Sequence, residues 1–372
     1  MTRGERLYRA VEEYAALGPH HRTGTLEDRA TRDWFATGLR DAGATVEEQS
    51  WTFDRYESTW EVWVGGEEVE AIPLFYEGVG TVDTDHPFVA SIPAGAAAVA
   101  GFEAAAREAL ARGAEAAVVA TETPTGLLMA INRDPAPATG LPTLLVAGAR
   151  AGDLHTRAVH VRMEARVVPG ASANVVGRIG AGPDHERLVL ATPISGWFRG
   201  AGERGTGIAV CLEVARELAG SVPLLVLGLS GHELHNLGAK KFIEGSSRPP
   251  LAVLHFGASV AAGEAGHGGV LHLARGITIR AALGPHQGAA VRDAFHILGK
   301  QVLDVPEERH TDPAAWVGEA TVWCRWGAPM VSIAGGFPLF HSPEDVPERA
   351  TTPELLAASF TATLAAARAL AT

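Results

Sequence analysis

The segment 231–235, Gly-His-Glu-Leu-His, places two imidazoles and one carboxylate close together in the chain. Such groups bind metal ions such as zinc, and they transfer protons as general acids and bases. Their spacing is not that of the helical zinc motif His-Glu-x-x-His, because the residue four positions after His232 is Asn236. Taken alone, the segment is either part of a metal site or the polar cap of the next helix.

Several other residue types suited to catalysis are scattered along the chain. They are Glu203 and Arg204 in the glycine-rich segment 200–207, His341 in the loop 340–345, His255 inside an apolar run, and Asp312 after His310. Each alone is more simply an exposed polar residue, an ion pair or a hydrogen-bonded core residue. A shared cleft would give them a chemical role.

Two apolar runs, 188–192 and 223–230, precede the segments with Glu203 and His232. Their length and their glycine-rich borders are typical of buried parallel strands. Ligands of such sheets bind at the carboxyl ends of the strands. We therefore expect Glu203 and the segment 231–235 to lie near one another.

Helix and strand patterns alternate along most of the chain. Predicted helices are 5–17, 27–42, 208–218, 289–298 and 353–370, and predicted strands besides the two above are 44–53, 251–256 and 329–333. This alternation predicts an α/β fold with a doubly wound, mostly parallel sheet flanked by helices. We assign residues 1–55 and 168–372 to this main domain.

Residues 56–167 have a different pattern, with short predicted strands, many turns and one alanine-rich helix at 102–112. Strands predicted at 116–120, 141–147 and 159–165 would form a small sheet apart from the main one. We therefore predict that residues 56–167 form an inserted α/β domain.

The composition limits the classes of function. A formal net charge of -12 argues against a nucleic-acid groove, which needs clustered Lys and Arg. The chain has two cysteines, each in an apolar segment, and no apolar run long enough to span a membrane. We expect a cytoplasmic protein that acts on a small molecule or short peptide and binds neither nucleic acid nor membrane; homo-oligomer formation is left open.

The order of motifs along nearly the whole chain resembles a known enzyme family. The segments are 174–177 (Asn-Val-Val-Gly), 200–207 (Gly-Ala-Gly-Glu-Arg-Gly-Thr-Gly), 230–234 (Ser-Gly-His-Glu-Leu) and 340–345 (Phe-His-Ser-Pro-Glu-Asp). They resemble the zinc aminopeptidases of the bacterial leucyl aminopeptidase type, whose fold glutaminyl cyclases share. Segment 21–25 resembles the opening of that family, and residues 56–167 resemble its protease-associated insert.

The resemblance implies a reduced metal site. The family's His-x-Asp pair after the first strand is replaced by Pro193-Ile-Ser195, and its later ligand aspartate falls at Gly257. The positions that match the ligands of its second ion are Glu203, Glu233 and His341. Three protein ligands and an open position suit a catalytic zinc, so the resemblance implies either one zinc ion at these residues or none.

The resemblance also implies roles for neighbouring residues. His232 replaces the family's general base and would serve as acid/base or as a further ligand. Ser195 would be a nucleophile or hydrogen-bond donor, and Arg204 would bind an anionic substrate group or pair with Glu203. The residues expected to contact the substrate or orient the others are His235, His255, Asp312 and Trp197.

Three functions remain open from the sequence. The first is a hydrolase of an amide or peptide-like bond in a small or N-terminal substrate, with one metal ion and a histidine acid/base. The second is a metal-free hydrolase or cyclase of a small metabolite. The third is a non-catalytic protein that binds a peptide or metabolite in the same cleft.

Overall fold

The computed structural model of the protein describes residues 1–94, 98–135, 140–246 and 248–372. Its larger sheet has ten strands among these residues. In chain order they are β1 Thr45–Val64, β2 Glu67–Glu68, β4 Gly80–Thr84, β8 Val159–Ile179, β9 Leu188–Pro193, β10 Leu224–Leu229, β11 Ala252–Phe256, β14 Ile277–Ala282, β15 Val302–Asp304 and β16 Met330–Gly335. The remaining strands are β3 Ala71–Pro73, β5 Phe88–Pro93, β6 Ala117–Glu122, β7 Thr143–Ala147, β12 Gly263–Ala265 and β13 Leu271–Leu273.

The centre of the large sheet is parallel. Strands follow the order β15-β14-β16-β11-β9-β10-β8-β1-β2, with β4 paired to β8. The pairs β16–β11, β11–β9 and β9–β10 are parallel, and β8 and β14 join this centre in antiparallel fashion. Every residue of β9, β10 and β11 is buried, as the apolar runs predict.

Helices cover both faces of this sheet. They are α1 Arg3–Ala15, α2 Leu26–Asp41, α5 Thr206–Leu218, α6 Leu237–Glu244, α7 Pro285–His296, α8 Ala320–Trp323, α9 Pro347–Ala350 and α10 Pro353–Leu370. Helices α1, α2, α5, α7 and α10 share one apolar core, whereas Phe242 of α6 and Trp323 of α8 pack on the other face. The predicted α/β fold with a large sheet between helices is confirmed.

Two strands are longer than the sequence pattern predicts. β1 and β8 pair over their full length, from Thr45 opposite Arg178 to Val64 opposite Val159. The sequence pattern predicts that the first strand ends at residue 53 and that the second ends before Pro169. A proline at one position does not break this ladder, because its partner Asp54 and the next pairs continue the register.

A smaller sheet lies within residues 56–167. Its order is β3-β7-β6-β5, and helices α3 Ala98–Ala111 and α4 Ala151–Thr156 belong to the same part of the chain. The strands near 117–122 and 143–147 and the alanine-rich helix occur where the sequence predicts them, whereas the strand predicted at 159–165 belongs to β8 of the larger sheet. Both boundaries of the predicted insert fall inside β1 and β8, so the division into domains stays a prediction.

Within the described residues, no helix combines the length and the apolar character needed to cross a bilayer.

Candidate active site

The parallel strands β9, β10, β11 and β16 end at one edge of the sheet. The residues that follow them there include Ser195 after β9, His232 and Glu233 after β10, and His341 after β16. Contacts join the segments: Ser195 touches both Glu233 and His232, and His341 touches Glu203. The structure therefore brings together most of the residues that the sequence singled out, as expected for a sheet of this type.

Glu203 and Arg204 lie on a tight turn, Ala201–Gly205, which has π-helical geometry and leads directly into α5. The carboxyl of Asp345 accepts hydrogen bonds from the backbone N–H of Gly202 at 2.6 Å and of Glu203 at 3.0 Å. Burial raises the pKa of Asp345 to about 8, although these two hydrogen bonds act in the opposite direction. Asp345 thus fixes the turn that presents Glu203.

Glu203 is fully buried between two basic groups. Its Oε1 lies 2.6 Å from Nη2 of Arg204 and 3.0 Å from Nε2 of His341. Burial raises the pKa of Glu203, but Arg204 and His341 outweigh it, and the pKa lies below its ordinary value. His341 is oriented by its Nδ1, which lies 2.9 Å from the carbonyl oxygen of Ala130. The Glu203 carboxylate is therefore ionised, and the adjacent Arg204 guanidinium balances its charge.

Glu233 belongs to a hydrogen-bonded network at the end of β10. Its Oε1 accepts a hydrogen bond from the backbone N–H of Thr23 at 2.6 Å, and its Oε2 accepts one from the hydroxyl of Ser195 at 2.8 Å. The same Ser195 oxygen accepts the backbone N–H of His232 at 3.1 Å. Thr23 in turn accepts the N–H of Gly231 at 2.8 Å. The network fixes the backbone that carries His232.

A cleft of about 470 Å³ opens beside these groups. Four buried polar side chains line it: His232, His255, His341 and Glu319. The rest of the lining is mainly apolar and includes Ala98, Val99, Met129, Ala130, Ile131, Val317, Ala334 and Phe340. Such a mixture of apolar walls and a few polar groups is typical of sites for small organic ligands.

One polar atom on each of three of these side chains lacks a hydrogen-bond partner among the described residues. The atoms are Nδ1 of His232, Nε2 of His255 and Oε2 of Glu319, whereas Nε2 of His341 contacts the Glu203 carboxylate at 3.0 Å. Buried polar atoms are normally satisfied, so unsatisfied atoms gathered at one cleft favour a polar ligand there. Two of these atoms, His232 Nδ1 and Glu319 Oε2, lie 3.6 Å apart.

Burial shifts the pKa values of Glu319, His255 and His232 in the direction that favours their neutral forms. It raises the pKa of Glu319 to about 8, despite the nearby charge of Arg204 and a 3.3 Å contact with the indole N–H of Trp323. Burial, together with Arg204, lowers the pKa of His255 to about 3 and that of His232 well below its ordinary value. At neutral pH the cleft therefore holds an uncharged carboxylic acid beside an uncharged imidazole.

Several residues predicted for the site occupy other places. Ser195 and Arg204 are buried beneath the cleft and are not part of its lining. Trp197 packs in the apolar core of the smaller sheet, where its indole N–H donates to Asn132. Asp312 does not line the cleft; it pairs with Arg309 and caps a short helical turn.

His235 was predicted for the site, whereas Glu319 was not, and both line the cleft. His235 lines the cleft and is half exposed, with Nδ1 4.0 Å from the carboxylate of Asp134. Glu319 was missed, because it follows Trp-Val-Gly in a loop and belongs to none of the motifs. The sequence offers no signal for it beyond its position between predicted elements.

Comparison with known proteins supports the fold. No protein-family model matches the chain, and no curated protein matches it. Solved structures do match: the zinc aminopeptidase BSAP from Bacillus subtilis is 18% identical, with a TM-score of 0.71 over 97% of this chain and 93% of that one. The chain has the zinc aminopeptidase fold. The peptidase M28 precursor from Shewanella amazonensis matches at 15% identity and a TM-score of 0.74, over 99% and 93% of the two chains.

The same fold also occurs in a cyclase. Glutaminyl cyclase from Porphyromonas gingivalis matches with 14% identity and a TM-score of 0.53, over 99% of this chain and 97% of that one. The resemblance that the motifs indicated is thus confirmed for the aminopeptidase and cyclase fold. At sequence identities this low the matches establish only the fold, and the chemistry must be argued from the residues of this chain.

Zinc is the cofactor that this fold family implies, and the predicted ligands fit it poorly. The Glu203 carboxylate is ion-paired with Arg204, and both oxygens of Glu233 accept hydrogen bonds. Among the described residues, no group of three or more His, Cys, Asp or Glu side chains is arranged to hold a metal ion. A divalent ion about 4 Å from a guanidinium would be repelled by about 8 kcal/mol at an effective dielectric constant of about 20.

Proposed function

We propose that this protein is an enzyme that hydrolyses an amide or peptide-like bond in a small or N-terminal substrate, with His232 as acid/base and Glu319 as its partner. The observation that supports this proposal is the pair itself. The two side chains are buried, line the same cleft and approach to 3.6 Å, and each has an unpartnered polar atom. Buried polar groups with a purely structural role normally have hydrogen-bond partners, so this pair is better suited to binding a substrate.

The pair can supply both halves of an acid/base reaction. The neutral carboxylic acid of Glu319 would donate a hydrogen bond to the substrate carbonyl oxygen and polarise it. The neutral imidazole of His232 would take a proton from water as the water oxygen adds to the carbonyl carbon. When the C–N bond breaks, His232 would return that proton to the leaving amine. The products are a carboxylic acid and an amine.

The shape of the cleft favours an uncharged, apolar substrate group. Its volume of about 470 Å³ suits one side chain together with its amide bond. Its walls carry the alkyl and aromatic side chains of Met129, Ile131, Val317 and Phe340. The preferred substrate is therefore a short peptide or amide with an apolar residue at the reacting bond.

The smaller sheet's part of the chain would act as one wall of this cleft. Ala98, Val99 and residues 129–132 lie within the predicted insert, and all of them line the cleft. This supports the proposal that residues 56–167 form a domain that narrows the site and excludes folded proteins. The cytoplasmic location and the oligomeric state stay predictions.

Cyclisation is a second candidate. The matched Porphyromonas gingivalis protein is a glutaminyl cyclase, and a neutral acid/base pair in an apolar cleft would equally serve a substrate whose own amine attacks its carbonyl. The two reactions differ in mass balance, because hydrolysis adds one water whereas cyclisation of a glutaminyl amide releases one ammonia. A protein that only binds the substrate would produce neither change.

The test is a mass-spectrometric screen of short peptides and amides. The panel pairs free with acetylated N-termini and apolar with charged side chains, and includes glutaminyl peptides. We expect turnover of the apolar members by the wild type and its loss in His232→Ala and Glu319→Ala. His296→Ala is the matched control, since this exposed imidazole on α7 does not line the cleft. Turnover that survives in His232→Ala would contradict the assignment.

A further inference from the structure

The guanidinium of Arg204 lies buried beneath the cleft, where its charge affects Glu203, Asp345, His232, His255 and Glu319. It is 1% exposed, and its Nη2 is 2.6 Å from Glu203 Oε1. Nη1 and Nη2 have no partner in hydrogen-bond geometry among the described residues. A buried cation with so few hydrogen bonds is costly, so it must be held there by its surroundings.

The surroundings of Arg204 fix it from both ends. Its Nε donates to the carbonyl oxygen of Ser195 at 3.0 Å. A Cβ placed on Gly196 would lie 3.2 Å from that Nε, and one on Gly200 would lie 3.6 Å from its Cγ. The side chain therefore runs across two glycines, which leave room for it, and the Asp345 hydrogen bonds fix the turn that carries it.

The charge of Arg204 extends into the cleft. Burial is the main cause of the lowered pKa of His232 and His255, and Arg204 adds to it; Arg204 also opposes the rise in the pKa of Glu319 that burial causes. The ion pair with Glu203 offsets this charge, so the cleft is exposed to the field of a buried Arg204–Glu203 pair and not to that of a free cation.

We infer that the Arg204 guanidinium, ion-paired with Glu203, occupies the position beside Glu203 that a metal ion of this fold would need, so that the protein binds no zinc there. Three observations on the described residues support this. Glu203 already has a cation at contact distance, Glu233 accepts hydrogen bonds at both oxygens, and no metal-binding cluster is arranged there. The inference does not rest on the proposed amide chemistry, because metal binding can be measured without a substrate.

The test measures zinc by mass spectrometry in protein purified without an affinity tag or chelator, then incubated with zinc and desalted. The proteins compared are the wild type, Arg204→Lys, Arg204→Met and the double variant Arg204→Met/Glu203→Gln. We expect only trace zinc in the wild type and Arg204→Lys. Arg204→Met should bind more zinc than the wild type, because Glu203, which His341 also contacts, is then free of the guanidinium.

Thermal unfolding with and without zinc gives a second readout. Arg204→Met should melt at a lower temperature than the wild type, and zinc should raise its melting temperature while leaving that of the wild type unchanged. The double variant should recover stability without zinc, since the unpaired charge is gone. Arg204→Lys keeps a cation beside Glu203 and should be the least affected single variant.

Either of two results would overturn the inference. One is a wild type that holds about one zinc per chain and loses it in His341→Ala. The other is a zinc-dependent rise in the melting temperature of the wild type as large as that of Arg204→Met. If Arg204→Met fails to fold, the wild type, Arg204→Lys and the double variant still decide the matter. Failure of the amide screen would leave these metal measurements unaffected, so the two proposals can fail separately.

Discussion

Nδ1 of His232 and Oε2 of Glu319 lie 3.6 Å apart across the cleft, on segments that are distant in the chain. The separation is just beyond a hydrogen bond, which leaves each atom able to bond to a third group between or beside them. Burial favours the neutral form of both side chains. At neutral pH the acid keeps its proton and the imidazole is free to accept one, although its lowered pKa makes it a weaker base than an ordinary histidine.

Replacement of His232 by alanine should remove most of the activity while the protein stays folded. General acid/base groups contribute about 10²- to 10⁴-fold to a rate, so we expect kcat to fall by that order. The measurement is kcat on the best substrate of the screen, with circular dichroism to confirm the fold. A loss of less than tenfold, with His296→Ala as the control, would show that another group is the base.

Glu319 should make the protein less stable as the pH rises. Its pKa is 4.5 when unperturbed and about 8 in the folded protein, so between these values the folded state holds a proton that the unfolded state has released. The stabilising effect is complete below pH 4.5 and is lost as the pH rises through about 8. The free energy of unfolding should fall by at most about 1.4 kcal/mol per pH unit from this group.

The measurement is denaturant unfolding of wild type and Glu319→Gln across that pH range. Glutamine has the shape of the neutral acid and does not titrate, so the wild type should lose stability relative to the variant as the pH rises. Asp345→Asn tests the other carboxyl with a pKa near 8, and the wild type should lose unfolding free energy relative to this variant over the same pH range. Parallel curves for wild type and Glu319→Gln would mean that Glu319 is ionised in the folded state.

Ser195 should prove to be a positioning residue. Its hydroxyl donates to Glu233 and its oxygen accepts the N–H of His232, so Ser195→Ala breaks two buried hydrogen bonds. We expect a loss of about 2–4 kcal/mol in the free energy of unfolding, measured by denaturant titration. Because His232 keeps its side chain, part of the activity should survive at temperatures where the variant is folded.

A matched variant separates the two roles of this serine. Ser195→Thr keeps the hydroxyl, and it should recover part of any lost activity if the extra methyl group is accommodated. A covalent acyl intermediate on Ser195, detected by mass spectrometry of the protein during turnover, would contradict the positioning role and restore the nucleophile hypothesis.

Arg204 and Glu203 should be strongly coupled. Removing one partner of a buried ion pair leaves an uncompensated charge, which costs about 3–5 kcal/mol. We therefore expect Arg204→Met and Glu203→Gln each to destabilise the protein, and the double variant to cost clearly less than the sum. A double-mutant cycle of unfolding free energies measures the coupling, for which about 1–3 kcal/mol is expected. Additive effects would show that His341 compensates Glu203 alone.

Local patterns in the sequence were sufficient for much of the architecture. The stretches 188–191 and 224–229 carry no polar side chain, which is typical of strands buried on both faces, and they lie in β9 and β10 at the centre of the sheet. The polar residues directly after them were predictable site candidates, because parallel strands share a carboxyl edge. The continuation of β1 beyond residue 53 was not predictable, since it depends on pairing with a distant strand.

The sequence by itself determined the fold and the chemical types gathered at the sheet edge: His232, Glu233, Glu203 and His341. Only the tertiary structure decided what each of them does. It placed Arg204 against Glu203, hydrogen-bonded Glu233 to Ser195, and brought Glu319 to His232 from a loop without a motif. Strand patterns are local and can be read along the chain, whereas charge pairing and pKa depend on which distant groups meet in a site that excludes water.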